Sequence, residues 1–284
     1  MYRLKNFIKT KYKVAHHRLD RQIGAILGNS VNAYWFDSVP NFGDQLNKSL
    51  LSYYGFTPIL TPKNDAEIVA IGSVLDNLSE DFSGIILGSG LMNDIQKSFP
   101  NARVLALRGK LTRDRIICND NVILGDPGLL ADRLVSKHHR KQYLIGFIPH
   151  YVDKQNEKVV EIKRNFQGVI NVIDVQKSPV YVLSEVDKCC FILSSSLHGV
   201  IAADALGIPN GWLVLSDKVH GNGFKFHDYF SAIKMDVDPS ILKGQETLEE
   251  LCKKTHPVSK QISAIKDNLE RQFVLLKTIL KTNT

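Results

Sequence analysis

The stretch from Cys190 to Pro209 constrains this chain more than any other. Cys190-Phe191-Ile192-Leu193 is an unbroken apolar run of strand length, the mark of a strand buried in a parallel sheet. Ser194-Ser195-Ser196 follows with capping chemistry. From Leu197 the apolar positions Val200, Ile201, Ala203 and Leu206 take up helical spacing, until Gly207 and Pro209 stop it. The stretch therefore reads strand, polar turn, short helix. The free N–H groups at such a helix start favour an anion. His198 lies in the first turn, where it can donate a hydrogen bond and carry a proton. A lone histidine there more often packs or caps its own helix. The serine run, the adjacent Gly199 and the strand end beneath favour a functional role for this one.

The same alternation runs through the chain. Strand patterns fall at residues 31–36, 57–60, 68–72, 84–87, 103–107 and 122–124, with helical patterns between them, including one after Ser73 and one holding Arg113 and Arg115. A polar segment, 136–142, with His138-His139 as a solvated pair, separates these from a second block. That block has strands at 143–148, 169–174, 190–193 and 212–215 and helices at 154–165 and 179–186. Ile262, Ile265, Leu269, Phe273, Leu276 and Leu280 then describe one face of a long C-terminal helix that packs on the body. Four regions are expected: an N-terminal arm (1–30), two α/β blocks (31–135 and 142–235) and a C-terminal region (236–284).

In an α/β sheet, ligands meet the carboxyl ends of strands, and several polar groups fall there. Asn41-Phe42-Gly43-Asp44 follows the first strand, with Asp44 placed to cap the next helix. Gly88-Ser89-Gly90 allows close approach of a ligand or of another backbone. Arg108-Gly109 suits a carboxylate or phosphate, which guanidinium grips with two hydrogen bonds; a salt bridge to a neighbouring loop is the plainer alternative. Gly125-Asp126-Pro127-Gly128 is accounted for by a cap and a helix-starting proline. His150 ends the first strand of the second block. The loop 216–226, with His220-Gly221-Asn222-Gly223, reads as ligand-facing or mobile, and Lys225 within it as a candidate anion ligand, a surface lysine being the common case.

Bulk properties narrow the classes. A hydrophobic fraction of 44% with 23% charged residues is that of an ordinary soluble protein. No long uncharged apolar run suggests a transmembrane helix or a signal peptide. Cys118, Cys189, Cys190 and Cys252 lack metal-site spacing, so no metal is expected, and the adjacent pair reads as strand core; a reducing cytoplasm suits this usage. The net charge is +7, and residues 1–25 hold seven basic side chains against Asp20 alone. With Leu4, Phe7, Ile8 and Tyr12 at helical spacing, this arm suits either an anionic membrane surface or packing on the body. Nucleic acid is not an expected partner, since no other basic patch with interleaved aromatics is present.

Taken in order, Asn41-Phe42-Gly43-Asp44, Gly88-Ser89-Gly90, Arg108-Gly109, Gly125-Asp126-Pro127, Ser195-Ser196-Leu197-His198-Gly199 and Asp204-Ala205-Leu206-Gly207-Ile208-Pro209 resemble the polysaccharide pyruvyltransferase family. The likeness covers about residues 31–235, and 225–229 resembles the family's ending. It implies a GT-B-like α/β fold, with two Rossmann-like domains facing across a cleft, 31–135 on the acceptor side and 142–235 on the donor side. The implied reaction moves the carboxyethylidene group of phosphoenolpyruvate to two hydroxyls of a sugar, giving a pyruvate ketal and phosphate with no further cofactor. The resemblance implies His198 as acid and Asp44 as base. The donor is expected on Arg108, Ser195, Ser196, Leu197, Gly199 and Lys225, and the acceptor or cleft is expected at Asn41, Gly43, Gly88, Ser89, Gly90 and His150. Family members often carry Arg at the position of Ser196, so either Lys225 or Arg113 replaces that charge or the ligand is not phosphoenolpyruvate. The basic arm raises a lipid-linked acceptor at the inner face of the cytoplasmic membrane. Two competing functions are a GT-B glycosyltransferase, with Asp228 as ribose ligand to a nucleotide-sugar, and a non-catalytic scaffold of polysaccharide assembly.

Overall fold

The computed structural model describes residues 29–118 and 122–282. The basic arm, and the membrane contact expected of residues 1–25, lie outside the described residues. The first block holds β1 (Ser30–Tyr34), β2 (Thr57–Leu60), β3 (Ile68–Val69), β4 (Ile85–Leu87), β5 (Lys97–Ser98), β6 (Arg103–Leu107), β7 (Ile116–Ile117) and β8 (Ile123–Leu124). Its helices are α1 (Phe42–Tyr53) and the single turn α2 (Lys110–Arg113). The second block holds β9 (Tyr143–Ile148), β10 (Ile170–Val172), β11 (Cys189–Ser194), β12 (Asn210–Val214) and β13 (Ser240–Ile241). Helices α3 (Glu157–Asn165), α4 (Pro179–Asp187), α5 (Leu197–Ala205), α6 (Phe224–Ala232), α7 (Leu248–Cys252) and α8 (Ile262–Thr282) alternate with them and close the chain.

Both main sheets are parallel. The first runs β2-β1-β3-β4-β6-β8 and the second β10-β9-β11-β12-β13. In each, the chain steps outward from its first strand to its second, then crosses back to lay the third on the other side. The order therefore reverses between β1 and β3, where Tyr34 faces Val69, and between β9 and β11, where Ser194 faces Ile148. The crevice outside such a reversal is where a Rossmann-like α/β sheet takes its ligand. This chain has two, and they meet.

They meet because the blocks share a core. One continuous cluster contains Val31, Leu50 and Leu87 from the first block, Ile148, Val182 and Ile201 from the second, and Leu269 and Phe273 from α8. Helix α5 lies within it and is buried at every residue. Helix α1 packs on α4, on α5 and on the 3-10 turn Pro127–Leu134. Helix α8 seats Ile262, Ile265, Leu269, Phe273 and Leu276, as the periodicity predicts, while Ile279 is buried and Leu280 only partly so.

Several features differ from expectation. Strand β3 stops at Val69 rather than 72, because the Ile71 N–H turns to Asn47 Oδ1 (2.8 Å) and Gly72 takes φ +117°. The pattern after Ser73 forms a 3-10 turn, Leu75–Asn77, and Arg115 falls beyond α2. The His138-His139 pair is not simply solvated: each Nδ1 lies 3.1 Å from a different oxygen of buried Asp187, pinning the segment between the blocks.

Candidate active site

The pocket at the two strand-order reversals has a volume of about 230 Å³. The first block lines it with Tyr34, Phe36, Asn41, Asp44, Ser73 and Met92, among others. The second contributes His150, Tyr151, Ser196, Leu197, His198 and Lys225, with His220 at its edge.

The serine run builds the second block's wall. Ser194 Oγ accepts from the Ser196 N–H (3.0 Å) and sits 3.1 Å from the Ile148 carbonyl; Ser195 Oγ accepts from the His150 N–H (2.9 Å). These bonds lock the end of β11 to that of β9. Ser195 is thereby internal and does not line the pocket. Ser196 is the N-cap of α5, yet its side chain makes no capping bond; the Gly199 N–H turns to the Ser196 carbonyl (3.0 Å), and the N–H groups of Leu197 and His198 meet no described residue. Gly199 faces away, where any Cβ would run into Ser194 Oγ.

His198 sits in that first turn at 8% exposure, its Nε2 buried with no hydrogen-bond partner among the described residues. A Cβ on Gly43 would run into the ring, so only glycine there lets α1 and α5 bring their starts together. Phe42 meets the imidazole edge-on, with centroids 6.4 Å apart. Burial, then Lys225, Arg108 and His150, hold the pKa of His198 down to about 3, so the imidazole is neutral when the pocket is empty. Burial, with Lys225 and His220, likewise lowers His150 to about 4.

Lys225 is the pocket's cation. It is 7% exposed and forms no hydrogen bond or ion pair with a described residue, its ammonium resting 5.9 Å from the Phe226 ring centroid. Burial and Arg108 pull its pKa down to about 8, against the opposing pull of Asp44. A buried ammonium without a partner is costly unless an anion joins it. Of the two cations expected to stand in for an arginine at Ser196, Lys225 lines the pocket. Arg113 instead pairs with Asp114 at the surface.

Asp44 faces it from the first turn of α1. The cap of that helix is Asn41, whose Oδ1 accepts from the Gly43 N–H (3.0 Å), so the capping role expected of Asp44 belongs to Asn41. Asp44 is 7% exposed, and burial raises its pKa to about 7, with Lys225 opposing and Asp126 adding. Asn47 sets its height, donating to both the Asp44 carbonyl and the Ile71 carbonyl at 2.9 Å. Pattern reading could not show this clamp, because Asn47 reads as one more polar residue of an amphipathic helix.

Arg108 does not reach the pocket. It is fully buried and each of its three guanidinium nitrogens is engaged: Nε by Asp228 (2.8 Å), one terminal nitrogen by Ser73 Oγ (2.5 Å), the other by the Leu91 carbonyl (2.5 Å). The direct donor contact expected of it is thus corrected; its charge acts on the pocket through Lys225 and His198. Asp228 also takes the Thr112 N–H (2.7 Å) and hydroxyl (2.6 Å), leaving it no room for the ribose that a nucleotide-sugar reading required. Gly88, Ser89 and Gly90 are corrected too: they are packing residues. A Cβ at Gly88 would hit Pro127, one at Gly90 would hit Arg108, and Ser89 Oγ donates to the Ala70 carbonyl (2.7 Å). Asp126 is the expected cap, accepting from the Gly128 N–H (2.8 Å). Tyr34, Phe36, Ser73, Met92 and Tyr151 are pocket residues that pattern reading passed over. The one signal for them was their place at, or within a few residues beyond, a strand's carboxyl end.

The model of the polysaccharide pyruvyl transferase family matches residues 28–217, and the chain belongs to that family of transferases. It is 28% identical over 218 residues to an uncharacterized protein of Acanthamoeba polyphaga mimivirus, covering 72% of this chain and 75% of that one. It is 24% identical over 230 residues to the succinoglycan biosynthesis protein ExoV of Rhizobium meliloti (strain 1021), covering 78% of this chain and 70% of the relative. Among the described residues no helix is long and apolar enough to cross a membrane.

Proposed function

We propose that this protein transfers the carboxyethylidene group of phosphoenolpyruvate to two hydroxyls of a sugar in a polysaccharide or its lipid-linked precursor. The observation that carries the reading is Lys225, a buried and unpaired cation beside an uncapped helix start and an unpartnered imidazole. Carboxylate and phosphate are anions of the kind such a corner takes. In a GT-B-like division of labour, residues 142–235 serve the donor and 31–135 the acceptor.

The chemistry balances on these groups. A proton goes to the methylene carbon of the donor, and the first sugar hydroxyl adds to the adjacent carbon as it loses its own proton. Phosphate then leaves with the bonding pair of its ester oxygen. The second hydroxyl adds, and its proton ends on the released phosphate. His198 is assigned as the acid and Asp44 as the base toward the sugar. Unliganded His198 is neutral, so the donor's negative charge is what raises its proton affinity and loads it. Binding of the donor near neutral pH should therefore draw protons from the buffer. If the acceptor is the lipid-linked precursor and the basic arm holds the protein at the membrane, removal of residues 1–25 weakens binding to anionic vesicles.

Calorimetry with phosphoenolpyruvate tests the donor assignment. Saturable binding is expected, with proton uptake revealed by buffers of different ionisation enthalpy. Binding should be lost in Lys225→Met. In His198→Ala it should be retained while phosphate release in the presence of pyranosides disappears. Absence of saturable binding to the wild-type protein overturns the donor.

A further inference from the structure

The pocket lining has two chemical characters, and the donor needs only one of them. Lys225, His198 and the start of α5 are the part suited to an anion. Tyr34 and Phe36, two residues apart at the carboxyl end of β1, and Tyr151, just beyond β9, bring three aromatic rings into the same space from the two sheets. Each of these three residues is only partly buried. Neither tyrosine hydroxyl forms a hydrogen bond with a described residue. Tyr151 is steadied by the tilted His150 ring, 4.3 Å away between centroids. Uncovered aromatic surface inside a polar cleft is costly to leave wet. Beside the rings stand Asn41, Ser73 and Asn77, amide and hydroxyl groups of the kind that hydrogen-bond neutral hydroxyls.

Resting on the transferase reading above, we propose that Tyr34, Phe36 and Tyr151 form the acceptor subsite. On it the apolar C–H face of a pyranose ring stacks, with its hydroxyls turned toward Asp44. A sugar ring is amphipathic in this way: axial C–H bonds make an apolar face, and equatorial hydroxyls make a polar rim. The aromatic rings match the face, and the amides and Ser73 match the rim. Tyr34 and Asp44 line the same pocket, and burial, then Asp44 and Asp37, raise the Tyr34 phenol pKa. The rival occupant of an aromatic wall is a nucleobase. A nucleotide would also need a group for its ribose, and the acidic candidate, Asp228, is sealed inside the protein.

Saturation-transfer NMR on the full chain with a panel of methyl hexopyranosides tests the subsite, with and without phosphoenolpyruvate, and UMP as a rival probe. At least one pyranoside should receive saturation on the C–H protons of one face. Phe36→Leu and Tyr151→Leu, which keep apolar bulk but remove the π-face, should weaken that sugar about tenfold. Both should leave the donor affinity measured by calorimetry within twofold of wild type, which also shows that they fold. Tyr34→Phe should retain sugar binding where Tyr34→Leu loses it, separating the ring from the hydroxyl. Sugar binding unchanged in the Phe36→Leu/Tyr151→Leu double variant overturns the subsite. So does the absence of any pyranoside signal at millimolar concentration, or UMP binding that the same substitutions abolish. A wild-type protein that binds a pyranoside through these rings but not phosphoenolpyruvate would leave the subsite standing and remove the donor reading, so the two fail separately.

Discussion

At the scale of single residues, the pocket stores two misfit charges. Asp44 keeps its proton up to about pH 7 because burial disfavours the carboxylate, whereas in the unfolded chain it ionises near 3.8. Between those values the folded state binds the extra proton. Its contribution to stability is full below the lower value and lost as pH rises through the upper one. Asp44→Asn removes that dependence. Relative to wild type, the variant should melt alike at about pH 4 and higher at about pH 8, by at most about 4 kcal/mol, while phosphate release with a sugar acceptor collapses. Equal melting of the two proteins at the higher pH would mean that the carboxylate ionises freely in the fold. Lys225 has the opposite misfit, its pKa held down to about 8 by burial and Arg108. Donor affinity measured by calorimetry should therefore fall more steeply above about pH 8, by up to about a further tenfold per pH unit beyond the fall that proton uptake by His198 imposes near neutral pH. His198 was legible because a strand end, a serine run and a helix start all sit within a dozen residues of sequence. The unpaired state of Lys225 was not, since it depends on which residues fail to reach it.

At the scale of elements, helix α6 carries Lys225 into the pocket, and the first block holds it there. Asp228 lies one turn beyond Lys225 on that helix and is gripped by Arg108 and Thr112. Gly109 makes the approach feasible, since a Cβ there would run into the Asp228 carbonyl. Asp228→Asn leaves the Arg108 charge buried and half-satisfied, a defect of about 3–5 kcal/mol. A lowered melting temperature should come with a weakened donor affinity, as the helix loses its tether. Arg108→Met combined with Asp228→Leu should recover stability relative to either single change, because it removes both buried charges together. A strictly additive double-mutant cycle would show the ion pair to be idle. This pairing explains the misreading of Arg108. An arginine at a strand's carboxyl end looks like a ligand-binding group, and nothing nearby in the chain reveals a carboxylate waiting 120 residues later. Strands β5, β7 and β13 escaped for a simpler reason: two residues carry no periodicity.

At the scale of the molecule, the two blocks were legible as alternations of strand and helix, but their union was not. The clue lay in α5, whose Leu197, Val200, Ile201, Ala202, Ala203 and Ala205 leave little polar surface on any side. A helix that is apolar all round must be covered all round. One sheet covers one flank. The remainder falls to α1, to the turn Pro127–Leu134 and, with α8, to the first block. The halves are therefore joined by a core rather than by a wet interface, which would let them move as separate domains. Calorimetry of the full chain should accordingly give one unfolding transition, with equal van't Hoff and calorimetric enthalpies. A substitution deep in the first block, such as Leu50→Ala, should lower that transition by about 2–5 kcal/mol as a whole. Two resolved transitions, with only one moved by Leu50→Ala, would mean that the blocks fold independently. The pocket would then open and close by their separation. A single transition makes the pocket a fixed feature of one folding unit: Gly43 against His198, and Asp228 against Arg108, hold its opposite walls in place before any ligand arrives.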